Sequence, residues 1–449
     1  VRADLHFGDN LEWLGRLKPE SVDLCYIDPP FNSQAGYNII VGGAQVEAFG
    51  DTWSWGAEDM RAYRNLVALS PCGAWAEGMM KVIGPCGMFS YLIFMAERLD
   101  AIRRVLKPTG SIYVHCDQSA NYHIRLLMDA VFGAGNCRRE IVWDISVLSG
   151  FKTIANNWIR GHDTILFYTS GDESTFNKQT TEHRPEYIAR FNKVDADGRR
   201  YFDGRGKPRY LDDVLAKGKA IGDVWGDVMS FQQAPTSKER VGYPTQKPLA
   251  LLDRIILASS NPGDLVMDCF LGSGTTAVSA VRNGRNFIGC DLTFMAVDIA
   301  MERLKEVEGV EVHLTGHPET LDDARTLAER DKFQFQAWAL SCVGVSTDGY
   351  TAKKGKDSGI DGRLVEVLKD GSTYTTIISV KGGKPKLVDV RDVMGTAVKE
   401  NAQRAVLLTL DEPTKDMITT AASGTMPVLV LTAQDLLDGK KIPPAEANA

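Results

Sequence analysis

The residues Asp28-Pro29-Pro30-Phe31 follow directly on the apolar run VDLCYI, so a strand delivers a carboxylate, two rigid residues and an aromatic ring to its carboxyl end. A turn needs a proline; it does not need the ring. If the acceptor of a reaction is an amine, the Asp28 carboxylate can take one N–H and the Pro29 carbonyl the other. Two acceptors on one amino nitrogen draw its lone pair out of ring conjugation and towards an incoming methyl group. Pro29 and Pro30 hold that carbonyl rigidly and offer no competing N–H, and Phe31 can stack on a base. An exocyclic amine in duplex DNA is beyond this geometry unless its nucleotide leaves the stack. The plainer alternative is an Asp-Pro-Pro turn with a core phenylalanine.

A second candidate constellation lies in VMDCFLGSGTT, where a strand ends near Asp268 and a helix begins near Thr275. Gly272 and Gly274 permit a tight turn and let a ligand approach backbone N–H groups. A lone G-x-G occurs in many ordinary turns, and Thr275 also suits a plain helix start. The run NFIGCD then places Asp291 at another strand end, where a carboxylate can accept both hydroxyls of a ribose. This spacing admits a dinucleotide or S-adenosylmethionine. A Walker-type phosphate site is disfavoured, because no Lys-Ser/Thr follows the glycines and Asp268 is a negative group in the wrong place for phosphate.

The elements that must position these groups read as an α/β sheet. Strands are expected at 22–27, 110–116, 140–143 and 164–169, helices over 95–106 and 248–260, and a long loop between Asn32 and Trp55. From about Gly171 to Gly242 the order dissolves into short polar pieces. Ten Lys/Arg and six Asp/Glu lie between Arg184 and Lys219, a positive segment inside a chain of net charge -7. Composition is that of an ordinary globular protein, 44% hydrophobic and 24% charged. No run approaches the roughly 18 apolar residues of a membrane span, and no export signal is legible; residence in the cytoplasm is the expectation. The eight cysteines are scattered without metal-site spacing and read as reduced core residues.

Taken together, YIDPPF and DCFLGSGTT resemble the amino-methyltransferases that modify DNA with S-adenosylmethionine. The order, catalytic tetrapeptide before cofactor glycines, resembles the beta group of that family over residues 4 to about 305. The resemblance implies a Rossmann-like methyltransferase sheet with an inserted target-recognition region. It implies that Asp9 of GDN, Lys247 of PTQKP, Asp268, Phe270, Gly272, Gly274, Thr275 and Asp291 serve the cofactor, with Lys247 against the methionine carboxylate. Arg199, Arg200, Arg205, Lys207 and Arg209 are then candidate contacts to double-stranded DNA, interleaved with Tyr201 and Tyr210. NNWIRGHDTILFYT resembles a segment near the target base, with Trp158, Arg160 and His162 as contributors. An aspartate at position 28 leans towards adenine N6, with cytosine N4 the alternative; a symmetric DNA site would suit a homodimer. Protein glutamine methyltransferases carry an Asn-Pro-Pro-Tyr variant in the opposite motif order. A DNA-binding protein without catalysis is the non-enzyme alternative.

The last third contains GKDSGIDGRLVEV and TIISVKGGKPK. Asp361 could hold a divalent metal such as Mg2+, and Lys381 could stabilise charge in phosphodiester cleavage; the alternative is an ordinary hairpin with surface charges. With FQFQAWAL and RAVLLTL, this region resembles the Mrr-like branch of restriction-endonuclease-like domains. Ser379 departs from that pattern, where Gln or Glu is expected; Asp357 or Glu366 are the candidate substitutes. The implied organisation is a catalytic half (1–170), a target-recognition insertion (171–243), a cofactor-binding half (244–315), a linker (316–332), a second α/β nuclease-like domain (333–440) and a loose tail (441–449).

Overall fold

The computed structural model describes residues 1–30, 53–147, 154, 156–204, 206–243, 245–345, 360–368, 372–424 and 426–445, together with the backbone of 36–41 and 44–50. Phe31, Arg205, Pro244 and Asp357 lie outside these residues.

In chain order the strands are β1 (Arg2–Phe7), β2 (Val22–Ile27), β3 (Gly36–Val41), β4 (Ala44–Gly50), β5 (Leu106–Cys116), β6 (Cys137–Asp144) and β7 (His162–Thr169). Then come β8 (Thr180–Thr181), β9 (Lys193–Val194), β10 (Arg200–Gly204), β11 (Lys207–Tyr210), β12 (Lys219–Ala220), β13 (Val224–Trp225), β14 (Leu265–Asp268), β15 (Asn286–Asp291) and β16 (Glu311–Thr315). The last four are β17 (Gly362–Val367), β18 (Thr373–Lys381), β19 (Arg404–Thr409) and β20 (Val428–Thr432).

Nine of these form one sheet in the order β13-β6-β7-β5-β2-β14-β15-β1-β16. Every neighbouring pair is parallel except those made by β7, which runs against β5 and β6. A parallel sheet must be covered on both faces, and β2 shows how its sequence meets that demand. Alternate side chains leave a strand on opposite faces: Leu24 and Tyr26 join one apolar cluster, Cys25 and Ile27 the other. The second cluster rests on the helix Gly87–Val105, eleven of whose residues are buried. The helices Leu249–Ser259, Thr275–Arg282 and Phe294–Lys305 contribute to the first.

The segment after Pro30 corrects one expectation. Between Asn32 and Trp55, where a long loop is expected, β3 and β4 pair as an antiparallel ribbon. The glycines at both ends leave only short alternations, YNI and QVEA, to mark such a pair.

Within 171–243 the strands are short. β9, β10 and β11 make a three-stranded sheet, β8 pairs β12, and β13 adds to the edge of the main sheet. Phe191, Phe202 and Leu211 form a small cluster of their own. Downstream, the expected linker carries a packed helix, Leu321–Arg330, with Ala324, Leu327 and Ala328 buried. The second sheet runs β17-β18-β19-β20, with β17 antiparallel and the others parallel. The start of the tail is held down: Ala445 donates its N–H to Glu366 at 3.0 Å, and Ile442 is buried.

Candidate active site

Because β1, β2, β14 and β15 are parallel, their carboxyl ends share one edge of the sheet. Asp9, Asp28, Asp268 and Asp291 therefore converge, and all four line one cavity of about 300 Å³. Lys247, Phe270, Gly272, Thr275, Pro29 and Pro30 line it as well. Gly274, which completes the turn, does not reach the wall.

The turn after β14 is held by its own carboxylates. Asp268 accepts the Phe270 N–H at 2.9 Å and the Thr276 hydroxyl at 2.7 Å. It is 2% exposed, and burial pushes its pKa up to about 7 despite those two bonds, with Asp28 and Asp291 adding to the rise. Gly272, at φ +50°, donates its N–H to Asp291 Oδ2 at 2.9 Å, while Thr293 donates both its N–H and its hydroxyl to Oδ1. Burial raises the Asp291 pKa too. Gly274 caps the helix Thr275–Arg282 at φ +73°, and a Cβ there would sit 2.5 Å from Ala300 Cβ. Glycine is required at this point both by the left-handed backbone and by the approach of the helix Phe294–Lys305. Arg303 from that helix donates to the Ser273 carbonyl at 2.5 Å and the Thr275 hydroxyl at 3.1 Å.

Asp9 caps the helix Asn10–Arg16, accepting from Leu11 and Glu12 N–H groups at 2.8 and 3.1 Å. Its second oxygen meets Arg98 at 3.2 Å. Arg98 also donates to Asn10 Oδ1, at 2.6 Å, and Asn10 in turn donates to the Cys269 carbonyl at 2.8 Å. The brace ties three elements to the cavity floor. The Arg98 guanidinium lies 3.4 Å over the Phe94 ring, and its burial lowers its pKa against the pull of Asp9. Trp53, Phe94, Phe270 and Tyr243 supply aromatic wall.

Asp28 itself is bound through Oδ2 to the Lys247 ammonium, while its buried Oδ1 has no hydrogen-bond partner among the described residues. Lys247 is thus paired with Asp28 and lines the same cavity in which the sequence expectation sets it against the cofactor's methionine carboxylate. Further along the same strand, the Tyr26 hydroxyl meets His115 Nδ1 at 3.0 Å. His115 Nε2 lies 3.2 Å from Asp163, which also pairs with Arg160. Burial works to raise the Asp163 pKa, but the His115 hydrogen bond and the Arg160 and Lys247 charges hold it at about 2. Arg160 and His162 thus stand at the start of β7, on the sheet edge that carries the cavity because β7 is antiparallel; Trp158 is 96% exposed.

The expected DNA contacts divide. Arg199 is occupied by Asp212 and Asp213, at 3.6 and 3.1 Å, and stacks over Tyr210. Arg200 donates to the Phe191 carbonyl. Lys207 and Arg209 are exposed on β11.

In the second sheet, Asp361 Oδ2 accepts from the Ser379 hydroxyl at 3.0 Å and the Val380 N–H at 2.6 Å. Lys381 lies 4.0 Å from Asp389, and Glu366 is turned to Arg404 and the Ala445 N–H. Among the described residues no three His, Cys, Asp or Glu side chains gather as a metal site. Of the carboxylates expected to serve Mg2+, Asp361 has Oδ2 engaged by β18, Glu366 faces Arg404, and Asp357 lies outside the described residues.

Sequence reading misses Arg98, Phe94, Trp53, Tyr243 and the Tyr26–His115–Asp163 chain. Arg98 does leave a signal: it is a basic residue on the buried side of LIFMAERLDAI, one helical turn after Phe94. No helix among the described residues is long and apolar enough to cross a membrane.

Relatives of this chain are found among DNA-modifying enzymes. It is 29% identical over 226 residues to the type II methyltransferase M1.MboII of Moraxella bovis, covering 49% of this chain and 81% of that one. It is 27% identical over 297 residues to M2.DpnII of Streptococcus pneumoniae, covering 66% and 87% respectively. Among solved structures it is similar to the M1.HpyAVI–SAM complex, with 17% identity, a TM-score of 0.39, and coverage of 67% of this chain and 98% of that one. Residues 22–302, from the strand that carries Asp28 to the helix that packs on Gly274, match the model of the N6/N4 DNA methylases, and the chain belongs to that family of S-adenosylmethionine-dependent, amino-group DNA methyltransferases.

Proposed function

We propose that this chain transfers a methyl group to the exocyclic N6 of an adenine turned out of double-stranded DNA, at a specific sequence. The observation that carries the reading is Asp28, whose buried Oδ1 has no partner among the described residues and which lines a cavity walled by aromatic rings. An amino N–H is the donor such an oxygen lacks. The Pro29 carbonyl would take the second N–H, and Phe31 would stack on the base.

The cavity fits S-adenosylmethionine in charge: four carboxylates face two cations, Arg98 and Lys247, so a sulfonium and an ammonium are favoured guests. The cofactor supplies a methyl group already activated by positive sulfur. In the transfer the amine lone pair forms the N–C bond, the C–S pair returns to sulfur, and the nitrogen sheds one proton afterwards. Asp28 orients the nitrogen; Asp291, Gly272 and Thr275 hold the cofactor's ribose and amino acid ends; Asp9 and Phe270 border its base. No covalent protein intermediate is required.

Target reading is assigned to 171–243, where Lys207 and Arg209 serve phosphates. The second sheet is proposed as a nuclease-like module that does not cut and contributes contacts to DNA. Methyl-labelled cofactor with mixed-sequence duplex DNA, followed by nucleoside mass spectrometry, tests the whole reading: labelled N6-methyladenine is expected, and label on cytosine N4 or on no base overturns it.

A further inference from the structure

We infer that Lys247 is a positioning residue for the reacting carboxylate and not a ligand of the cofactor; this rests on the reading of Asp28 as the amine acceptor. The two side chains are 10% and 16% exposed, and the ammonium is bonded to Asp28 Oδ2. A carboxylate with one oxygen pinned cannot rotate freely about its last torsion. Oδ1, buried and unpartnered among the described residues, is thereby fixed as the oxygen that meets the amine.

The lysine is in turn held before any ligand arrives. Its Nζ donates to the Thr245 carbonyl at 3.1 Å. Thr245 sits at φ +61°, a left-handed conformation that a non-glycine residue keeps only where neighbours impose it. Gln246 imposes it: its side chain accepts from the Val241 N–H at 2.9 Å and donates to the Glu239 carbonyl at 2.7 Å, stapling the turn back onto the segment that precedes it. A mostly buried ion pair is a poor device for stability alone, because desolvating both charges offsets their attraction. It is a good device for holding one oxygen in one place. The strained carbonyl, the staple and the pair all converge on the geometry of Asp28.

The test uses the full chain with Lys247→Met and Lys247→Arg. Cofactor affinity is measured by calorimetry without DNA, and turnover on mixed-sequence duplex DNA at saturating cofactor. The expected split is a loss of about 100-fold or more in kcat for Lys247→Met, with cofactor Kd within about threefold of wild type and partial recovery of kcat in Lys247→Arg. A Kd raised about 30-fold or more, with kcat at saturating cofactor unchanged, overturns the inference and returns Lys247 to the cofactor. If Lys247→Met fails to fold, Lys247→Arg carries the same split. Retention of methyl transfer by Asp28→Ala is a separate failure, which removes the acceptor reading itself without any change at Lys247.

Discussion

Two strand edges in this molecule bring an aspartate close to a lysine-bearing segment, and they differ in what the carboxylate oxygens are bonded to. At the first, Asp28 gives one oxygen to Lys247, keeps the other buried and unpartnered among the described residues, and lines a cavity shared with three more carboxylates. At the second, Asp361 accepts from the Ser379 hydroxyl and the Val380 N–H of the adjoining strand, and Lys381 leans towards Asp389. In each case the aspartate lies at a strand end, with a lysine drawn to a carboxylate nearby. Reactivity needs hydrogen-bonding capacity left open towards a space large enough for a ligand, and of these two edges the first keeps it. The second spends Oδ2 on two bonds to the adjoining strand.

Removing the open oxygen should break the contrast most sharply. Asp28→Ala is expected to lower methyl transfer on the order of 10³-fold or more while leaving cofactor Kd within a few-fold, measured by turnover and calorimetry. Asp291→Ala should do the reverse. It takes the proposed ribose acceptor away and frees the Gly272 and Thr293 donors, so cofactor Kd should rise about 10- to 100-fold.

Asp268 sharpens the comparison through pH. Its folded pKa near 7 lies above that of an unfolded aspartate, so the unfolded chain loses this proton first as pH rises. Stability contributed by this group therefore falls as pH climbs from about 4 to 7, with a slope of at most about 1.4 kcal/mol for each pH unit. A cationic guest favours the ionised form, so cofactor affinity should climb over the same window and level off above it. Asp268→Asn should flatten both dependences; an unchanged slope in chemical-denaturation and binding series would remove Asp268 from the linkage.

The smallest effect is expected at the second edge. Asp361→Ala and Lys381→Ala should leave methyl transfer unchanged, and neither they nor the wild type should cleave plasmid DNA with Mg2+ or Mn2+. Cleavage that Lys381→Ala abolishes would erase the distinction between the two edges.

Much of the first edge is legible in the sequence because its chemistry sits at strand ends, where apolar runs announce their own limits. VDLCYI, LVMD and NFIGCD mark β2, β14 and β15, and one parallel sheet is enough to bring Asp28, Asp268, Gly272 and Asp291 together. Lys247 is legible as a site residue, but its partner is not, since that depends on the turn at Thr245 and on a side chain crossing 219 positions of chain. Arg98 is hidden for a similar reason: its helix is identified by apolar spacing, and a buried cation contradicts that spacing. The Asp361 pair reads like a site because sequence shows charges and not the bonds already made to them. β16 is obscured by the high charge of the stretch from Glu302 to Asp331, whereas a helix is expected in that stretch and is found at Leu321–Arg330.

The packing between the two sheets governs how the molecule comes apart. The apolar cluster beneath the cofactor turn runs without a break through Phe294, Ile299 and Ala300 into Phe335, Trp338, Ile378 and Leu408 of the second sheet and its helix. Gln334 closes it by accepting the Phe294 N–H at 2.7 Å, three residues from Asp291 and its buried carboxylate. A protease or a gene truncation aimed at residues 316–332 would not release two finished modules. It would strip the support from the helix that shapes the methyl-donor pocket, leaving an N-terminal fragment with a greasy flank and a slack cofactor turn.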